Sequence, residues 1–141
     1  MQVETILRSK GRSVVTISAD ATIVEAVELL NTHRIGAVVV TDGSGVAGIL
    51  SERDIVRNLG SDWGALASRP IREVMTRPVI SVPPTTSIDD VMERMTERRI
   101  RHIPIVEDTE LVGIVSIGDV VKSKIEQVET EAEAMRDYIA G

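Results

Sequence analysis

Residues 16–57 and 81–122 can be written one above the other at a fixed offset of 65 with no gap. Nine of the 42 aligned pairs are identical, among them Ile23/Ile88, Arg34/Arg99, Ile35/Ile100, Gly48/Gly113, Ile49/Ile114, Ser51/Ser116 and Asp54/Asp119. Most of the others keep their character, as in Val38/Ile103, Val40/Ile105 and Leu50/Val115. Self-similarity of this period means two copies of one supersecondary unit. A chain of about 60 residues buries only about 60% of its unfolded surface, so the copies are expected to share a core across a pseudo-twofold. Upstream, Val3, Ile6 and Leu7 match Ile71, Val74 and Met75 at an offset of 68, which leaves three extra residues in the first copy around Ser9 to Ser13.

Each copy reads as strand, helix, strand, hairpin, strand, helix. Thr22 with Glu25, and Ser87 with Asp90, place a hydroxyl and an acid three residues apart, the pattern that satisfies free N–H groups at a helix start. Apolar residues follow at Ile23, Ala26, Val27 and Leu30, and at Ile88, Val91, Met92 and Met95, the stripe of a helix buried on one side. Residues 37–40, 46–50, 102–106 and 111–115 read as strands, with turn residues at 42–45 and 107–110. Pro104 has no N–H to donate and belongs at a sheet edge or strand start. The expected class is α+β, two β-α-β-β-α repeats and a long C-terminal helix: 1–60 the first repeat, 61–70 a linker, 71–124 the second repeat, 125–141 a helical extension.

Composition agrees with sheet-rich packing. Aromatic residues number only two, Trp63 and Tyr138, so β-branched aliphatics must build the core. The formal charge of −6 argues against nucleic acid as a partner, and the lack of cysteine excludes disulfides and thiolate chemistry. No apolar run approaches the roughly 20 residues of a membrane span, and the N-terminus lacks a signal-type apolar region, so the expected location is the cytoplasm, away from membranes.

Three motifs carry possible chemistry. Residues 43–48 spell GxGxxG after a strand, but the second copy keeps only its last glycine, Gly113, so the first two glycines read as hairpin residues rather than a dinucleotide-binding turn. Ser51 with Asp54, and Ser116 with Asp119, sit where a strand hands over to a helix. Each pair suits a capping box, and each carboxylate could equally accept two hydrogen bonds from a ribose diol beside a helix N-terminus that attracts phosphate. Arg53 adds an anion donor to the first copy that Gly118 does not add to the second. The run from Arg98 to His102 is the one dense cationic patch; Arg101 and His102 lie at a strand entry, where the first copy has Gly36 and Ala37, and they suit a solvated helix end or a phosphate. From Asp119 onward, Val121, Ile125, Val128, Ala132, Met135 and Ile139 recur at steps of four and three, a heptad seam that suits either its own domain or a partner helix. The tail from 126 to 137 carries a net charge of −4, so self-pairing is expected to strengthen with salt.

With VVTISADAT at 14–22, RIRHIPIV at 99–106 and the pattern Gly-Ile-(Leu/Val)-Ser-x-x-Asp at both 48–54 and 113–119, the chain resembles a tandem pair of cystathionine β-synthase (CBS) domains over nearly its whole length. The resemblance implies a stand-alone Bateman module with adenosyl ligands such as AMP, ADP, ATP, NAD or S-adenosylmethionine in two clefts between the repeats. Carried over by position, Asp54 and Asp119 would hold ribose, Ser51 and Ser116 would support ribose or phosphate, and Arg53, Arg101 and His102 would face phosphates. Thr16, Ile17, Ala37 and Val38 in one copy, and Ser81, Val82, Ile103 and Pro104 in the other, would line adenine. The first copy lacks the Arg-His pair and the proline. The expectation is therefore a non-enzymatic module for energy sensing or signalling. It would bind AMP, ADP, ATP or NAD, use no catalytic cofactor and no metal, form a homodimer, and regulate a protein target the sequence does not identify. The other reading is an interaction adaptor whose dimeric helical tail recruits a partner and whose clefts are vestigial. An enzyme is disfavoured because no nucleophile and base pair or metal-ligand cluster recurs near the clefts.

Overall fold

The repeat at offset 65 is realised as two copies of one plan in a computed structural model, which describes residues 1–140. One unit is continuous, Val14–Ile80; the other combines Met1–Ser13 with the chain from Ser81 onward.

The continuous unit holds β1 (Thr16–Ser18), α2 (Ile23–His33), β2 (Ala37–Asp42), β3 (Gly45–Ser51), α3 (Glu52–Leu59) and the short α4 (Trp63–Ala67), and it ends in a 3₁₀ turn, Ile71–Glu73. Its sheet runs β1-β2-β3, with β1 parallel and β3 antiparallel to β2. Ile23, Ala26 and Leu30 of α2 pack against Val38, Val40 and Leu50 of the sheet. The other unit holds α1 (Val3–Lys10), α5 (Ile88–Arg98), β4 (His102–Glu107), β5 (Glu110–Ser116) and the 24-residue α6 (Ile117–Ala140). Its core gathers Ile88, Val91 and Met95 with Ile103, Ile105 and Val115. The two hairpins share a bulge at matching positions, after Val40 and after Ile105. The GxGxxG segment spans the β2–β3 turn, where Gly45 has φ 116°, so it serves the hairpin; in the second copy Asp108 and Thr109 take the positive φ angles.

The helix starts follow the sequence. Thr22 and Glu25 close a reciprocal capping box, and Ser87 Oγ accepts from the Asp90 amide at 3.0 Å. Both helices end on an arginine in the left-handed region, Arg34 at φ 52° and Arg99 at φ 54°, a conformation that disfavours a β-carbon.

The second copy departs from the first at its opening strand. Where β1 pairs over three residues, Val82 makes only an isolated parallel bridge to Ile105. Two prolines explain the loss. The Val39 amide donates to the Val15 carbonyl and the Ala19 amide to the Thr41 carbonyl. At the equivalent positions stand Pro104 and Pro84, which have no amide hydrogen to give. What survives are the bonds from Val82 N to Pro104 O and from Val106 N to Val82 O.

The compact units do not coincide with the sequence repeats. Residues 1–13, read from sequence as the start of the first repeat, pack with the second. The Val3 amide donates to Thr86 O and the Ile88 amide to Met1 O, both at 2.9 Å. In the continuous unit the same roles pass to the Ile71 amide donating to Ala21 O and the Ile23 amide donating to Arg69 O. These bonds pair positions 1 and 3 with 69 and 71, an offset of 68, and positions 86 and 88 with 21 and 23, an offset of 65. The two offsets in the sequence are thus two bodies: a docking segment and the sheet-helix body that receives it. Leu7 is 1% exposed and packs over Gly113, as Met75 packs over Gly48. Burying an aliphatic side chain of this kind contributes about 1.5–3 kcal/mol. Residues 61–70, read from sequence as a linker, contain α4, whose Leu66 is 2% exposed in the core of the continuous unit.

Candidate functional site

Each unit brings its candidate residues to one strand-to-helix junction. In the continuous unit Ala37 opens β2 opposite Ser51, the last residue of β3, and Asp54 lies in the first turn of α3. The Glu52 amide donates to Gly36 O at 3.0 Å, which ties the helix start to the entry of β2. The other unit repeats this with His102 opposite Ser116 and the Ile117 amide donating to Arg101 O at 2.8 Å.

The hydroxyl and carboxylate pairs form capping boxes in both units. Asp54 Oδ2 accepts from the Ser51 amide at 2.9 Å and from Ser51 Oγ at 3.1 Å, while Ser51 Oγ accepts from the Asp54 amide at 3.2 Å. Asp119 Oδ2 accepts from the Ser116 amide at 2.9 Å, and the Asp119 amide donates to Ser116 Oγ at 3.2 Å. Helix-capping is therefore a real role of these residues and orients both carboxylates at a helix N-terminus.

Each carboxylate also meets a residue that the sequence did not mark. Thr76 Oγ1 donates to Asp54 Oδ1 at 2.8 Å, and Asp54 is buried. Lys10 Nζ donates to Asp119 Oδ2 at 2.6 Å and to Ile114 O at 3.0 Å. Thr76 follows the docking segment at 71–75, and Lys10 ends α1. The partners are a hydroxyl in one unit and an ammonium in the other, so the two junctions differ in charge. Burial works against ionisation of Asp119, but the hydrogen bonds from Lys10 and Ser116 and the Lys10 charge outweigh it and hold the group below the usual carboxylate range. The match of Val3–Leu7 to 71–75 was the available signal for these contacts, but Lys10 and Thr76 do not themselves align at either offset.

The remaining candidates divide by burial. Ile17, Val38, Val82 and Ile103 have their side chains in the cores of their own units. Ala37 and Pro104 are buried, Thr16, Ser81 and Arg101 are exposed, and Arg53 and His102 are half-buried. A ligand at either junction would therefore meet polar side chains on the helix side. Among the described residues no group of three His, Asp or Glu is placed to hold a metal ion, and no helix is long and apolar enough to cross a membrane.

Comparison with known proteins places this geometry in context. The family model described as CBS domain matches twice, at residues 5–61 and 71–126. A mitochondrial CBS domain-containing protein of Arabidopsis thaliana, CBSX3, is 34% identical over 96% of this chain and 70% of its own length. A CBS-domain containing protein from Agrobacterium tumefaciens superposes with a TM-score of 0.84 at 42% identity, over 88% of this chain and 99% of that one. The CBS domain pair of protein MJ0100, crystallised with 5′-methylthioadenosine and S-adenosyl-L-methionine, superposes at 0.75 with 30% identity, over 86% of this chain and 98% of that one.

Proposed function

The chain belongs to the CBS domain family as a tandem pair, and from that premise we propose that it is a non-enzymatic regulatory module that binds an adenine nucleotide, AMP, ADP, ATP or NAD, at the junctions carrying Asp54 and Asp119. Occupancy is passed to a protein target through a change in the packing of repeats or subunits. The observation that carries the reading is the duplication itself. Both units hold a carboxylate in the first turn of a helix, oriented by a serine cap. A ribose diol donates two hydrogen bonds to a carboxylate, and a helix N-terminus favours a phosphate nearby.

The adenosyl ligands of the MJ0100 pair support the adenosine half of this reading. Charge narrows the other half. Arg53 in one unit, and Lys10, Arg101 and His102 in the other, favour a ligand bearing phosphate over the cationic sulfonium of S-adenosylmethionine. In this reading a ribose reaching Asp119 competes with Lys10 for Oδ2, and the displaced ammonium becomes available to phosphate.

Thermal unfolding of ligand-free protein with AMP, ADP, ATP, NAD and S-adenosylmethionine tests the proposal. A phosphate-bearing ligand at 100 times its Kd is expected to stabilise the fold by about 2.7 kcal/mol, several degrees in Tm. Asp119→Asn keeps an oxygen for the cap but loses the charge, so it should lower affinity far more than stability. Absence of any shift at millimolar adenine nucleotide would favour the second reading, an adaptor that recruits a partner through the exposed apolar stripe of α6 described below.

A further inference from the structure

The seam of α6 lies on the face that its own unit leaves uncovered. The helix packs on that unit through Val120 and Ser123, with Ser123 Oγ 3.1 Å from Met1 Sδ. Val121, Ile125, Val128, Met135 and Ile139 are between 41% and 75% exposed, and every residue from 128 to 140 is exposed. Steps of four and three along the stripe put Ile125, Ala132 and Ile139 at a positions and Val121, Val128 and Met135 at d positions of a heptad.

The flanking charges select the occupant. The g positions carry Lys124 and Glu131, and the e positions carry Lys122, Glu129 and Arg136. In a parallel, in-register pair each g residue faces the e residue five positions on in the other helix. That sets Lys124 against Glu129 and Glu131 against Arg136, each pair occurring twice by symmetry. An antiparallel pair of full overlap sets Glu131 against its own copy, Glu129 against its own copy and Lys122 against Arg136, all like charges. Lys124 already meets Asp89 of its own unit at 2.9 Å, so the Glu131–Arg136 pair discriminates best. The remaining acids, Glu126, Glu133 and Asp137, fall at b and f positions, away from the seam.

We propose that the uncovered face of α6 pairs with a second copy of this chain as a parallel, in-register two-stranded coil. This orientation reverses the salt dependence expected from the net charge of the tail. The charges closest to the seam attract, so the pairing weakens as salt rises.

The full-length chain contains no cysteine, so a single introduced thiol reports which residue meets which. Ile139→Cys should form an intermolecular disulfide under mild oxidation, and Glu133→Cys, on the outer face, should not. Charge reversal provides an independent reading by sedimentation equilibrium. Glu131→Arg or Arg136→Glu should each weaken dimerisation about 3- to 10-fold, and the double variant should restore it, since exposed ion pairs are individually modest. Met135→Asp should give a monomer that still folds cooperatively, because Met135 is exposed in its own unit. The proposal is overturned by any of four results: a full-length chain that is monomeric at tens of micromolar, a dimer that Met135→Asp leaves intact, equal cross-linking at 133 and 139, or a double charge reversal no tighter than the singles.

Discussion

Replacing Gly113 by alanine places a β-carbon 2.5 Å from Leu7 Cδ2, 2.9 Å from Cδ1 and 3.3 Å from Cγ. Leu7 is 1% exposed and cannot swing into solvent, so the methyl group overpacks the contact. Overpacking of this kind costs about 1–3 kcal/mol. The reduced freedom of the unfolded alanine chain offsets about 0.4–1 kcal/mol of it, so the expected net loss lies between about 0 and 2.6 kcal/mol. Leu7→Ala alone removes a buried side chain and should cost about 2–5 kcal/mol. Combined, the two changes should cost less than their sum. The alanine methyl at 113 then sits where the leucine tip was removed, giving a favourable coupling of about 1–2 kcal/mol. Urea unfolding of the four species measures this directly, provided m stays constant. Gly48→Ala serves as the control. Its β-carbon meets Met75 Sδ at 2.6 Å and the Thr76 carbonyl oxygen at 3.0 Å, all in the continuous unit, so it should add to Leu7→Ala within about 0.5 kcal/mol. If Gly113→Ala and Leu7→Ala were simply additive, or if Leu7→Ala coupled to Gly48→Ala instead, residues 1–13 would not dock on the second repeat and the crossed arrangement would be wrong.

Two further predictions concern the carboxylates. Because the folded pKa of Asp119 lies below its unfolded value, its contribution is fully present above about pH 4 and fades as pH falls through the folded pKa. Lys10→Met should therefore raise the Asp119 titration midpoint in carboxyl NMR, and the stability gap between the two proteins should close under acid; an unmoved midpoint refutes the Lys10 contact. Thr76→Val removes the donor to Asp54 Oδ1 and leaves a buried carboxylate oxygen without it, which should cost about 1–3 kcal/mol in chemical unfolding, whereas a change below about 0.5 kcal/mol would mean water replaces the hydroxyl freely.

Much of this protein is local, and what is local is legible in the chain. The period of 65, the caps at Thr22, Ser51, Ser87 and Ser116, the hairpin turns and the apolar stripes are short-range patterns, because a helix repeats every 3.6 residues and a strand every two. The placement of Asp54 and Asp119 in a first helical turn follows from the same reasoning. The shortened strand at Val82 was also within reach, since Pro84 and Pro104 announce two missing amide donors. Nothing in the periodicity decides which body receives which docking segment. The segment at 1–7 and the segment at 69–75 carry the same apolar pattern, and both bodies offer a glycine, Gly113 or Gly48, to be covered. Either pairing satisfies the pattern, so the choice belongs to the tertiary structure, where Met1–Ser13 reach the second repeat and 69–76 close on the first. The partners of the two carboxylates followed from that choice. Lys10 and Thr76 come to Asp119 and Asp54 from 109 and 22 residues away in the chain, carried by segments whose docking depends on packing rather than on any local rule.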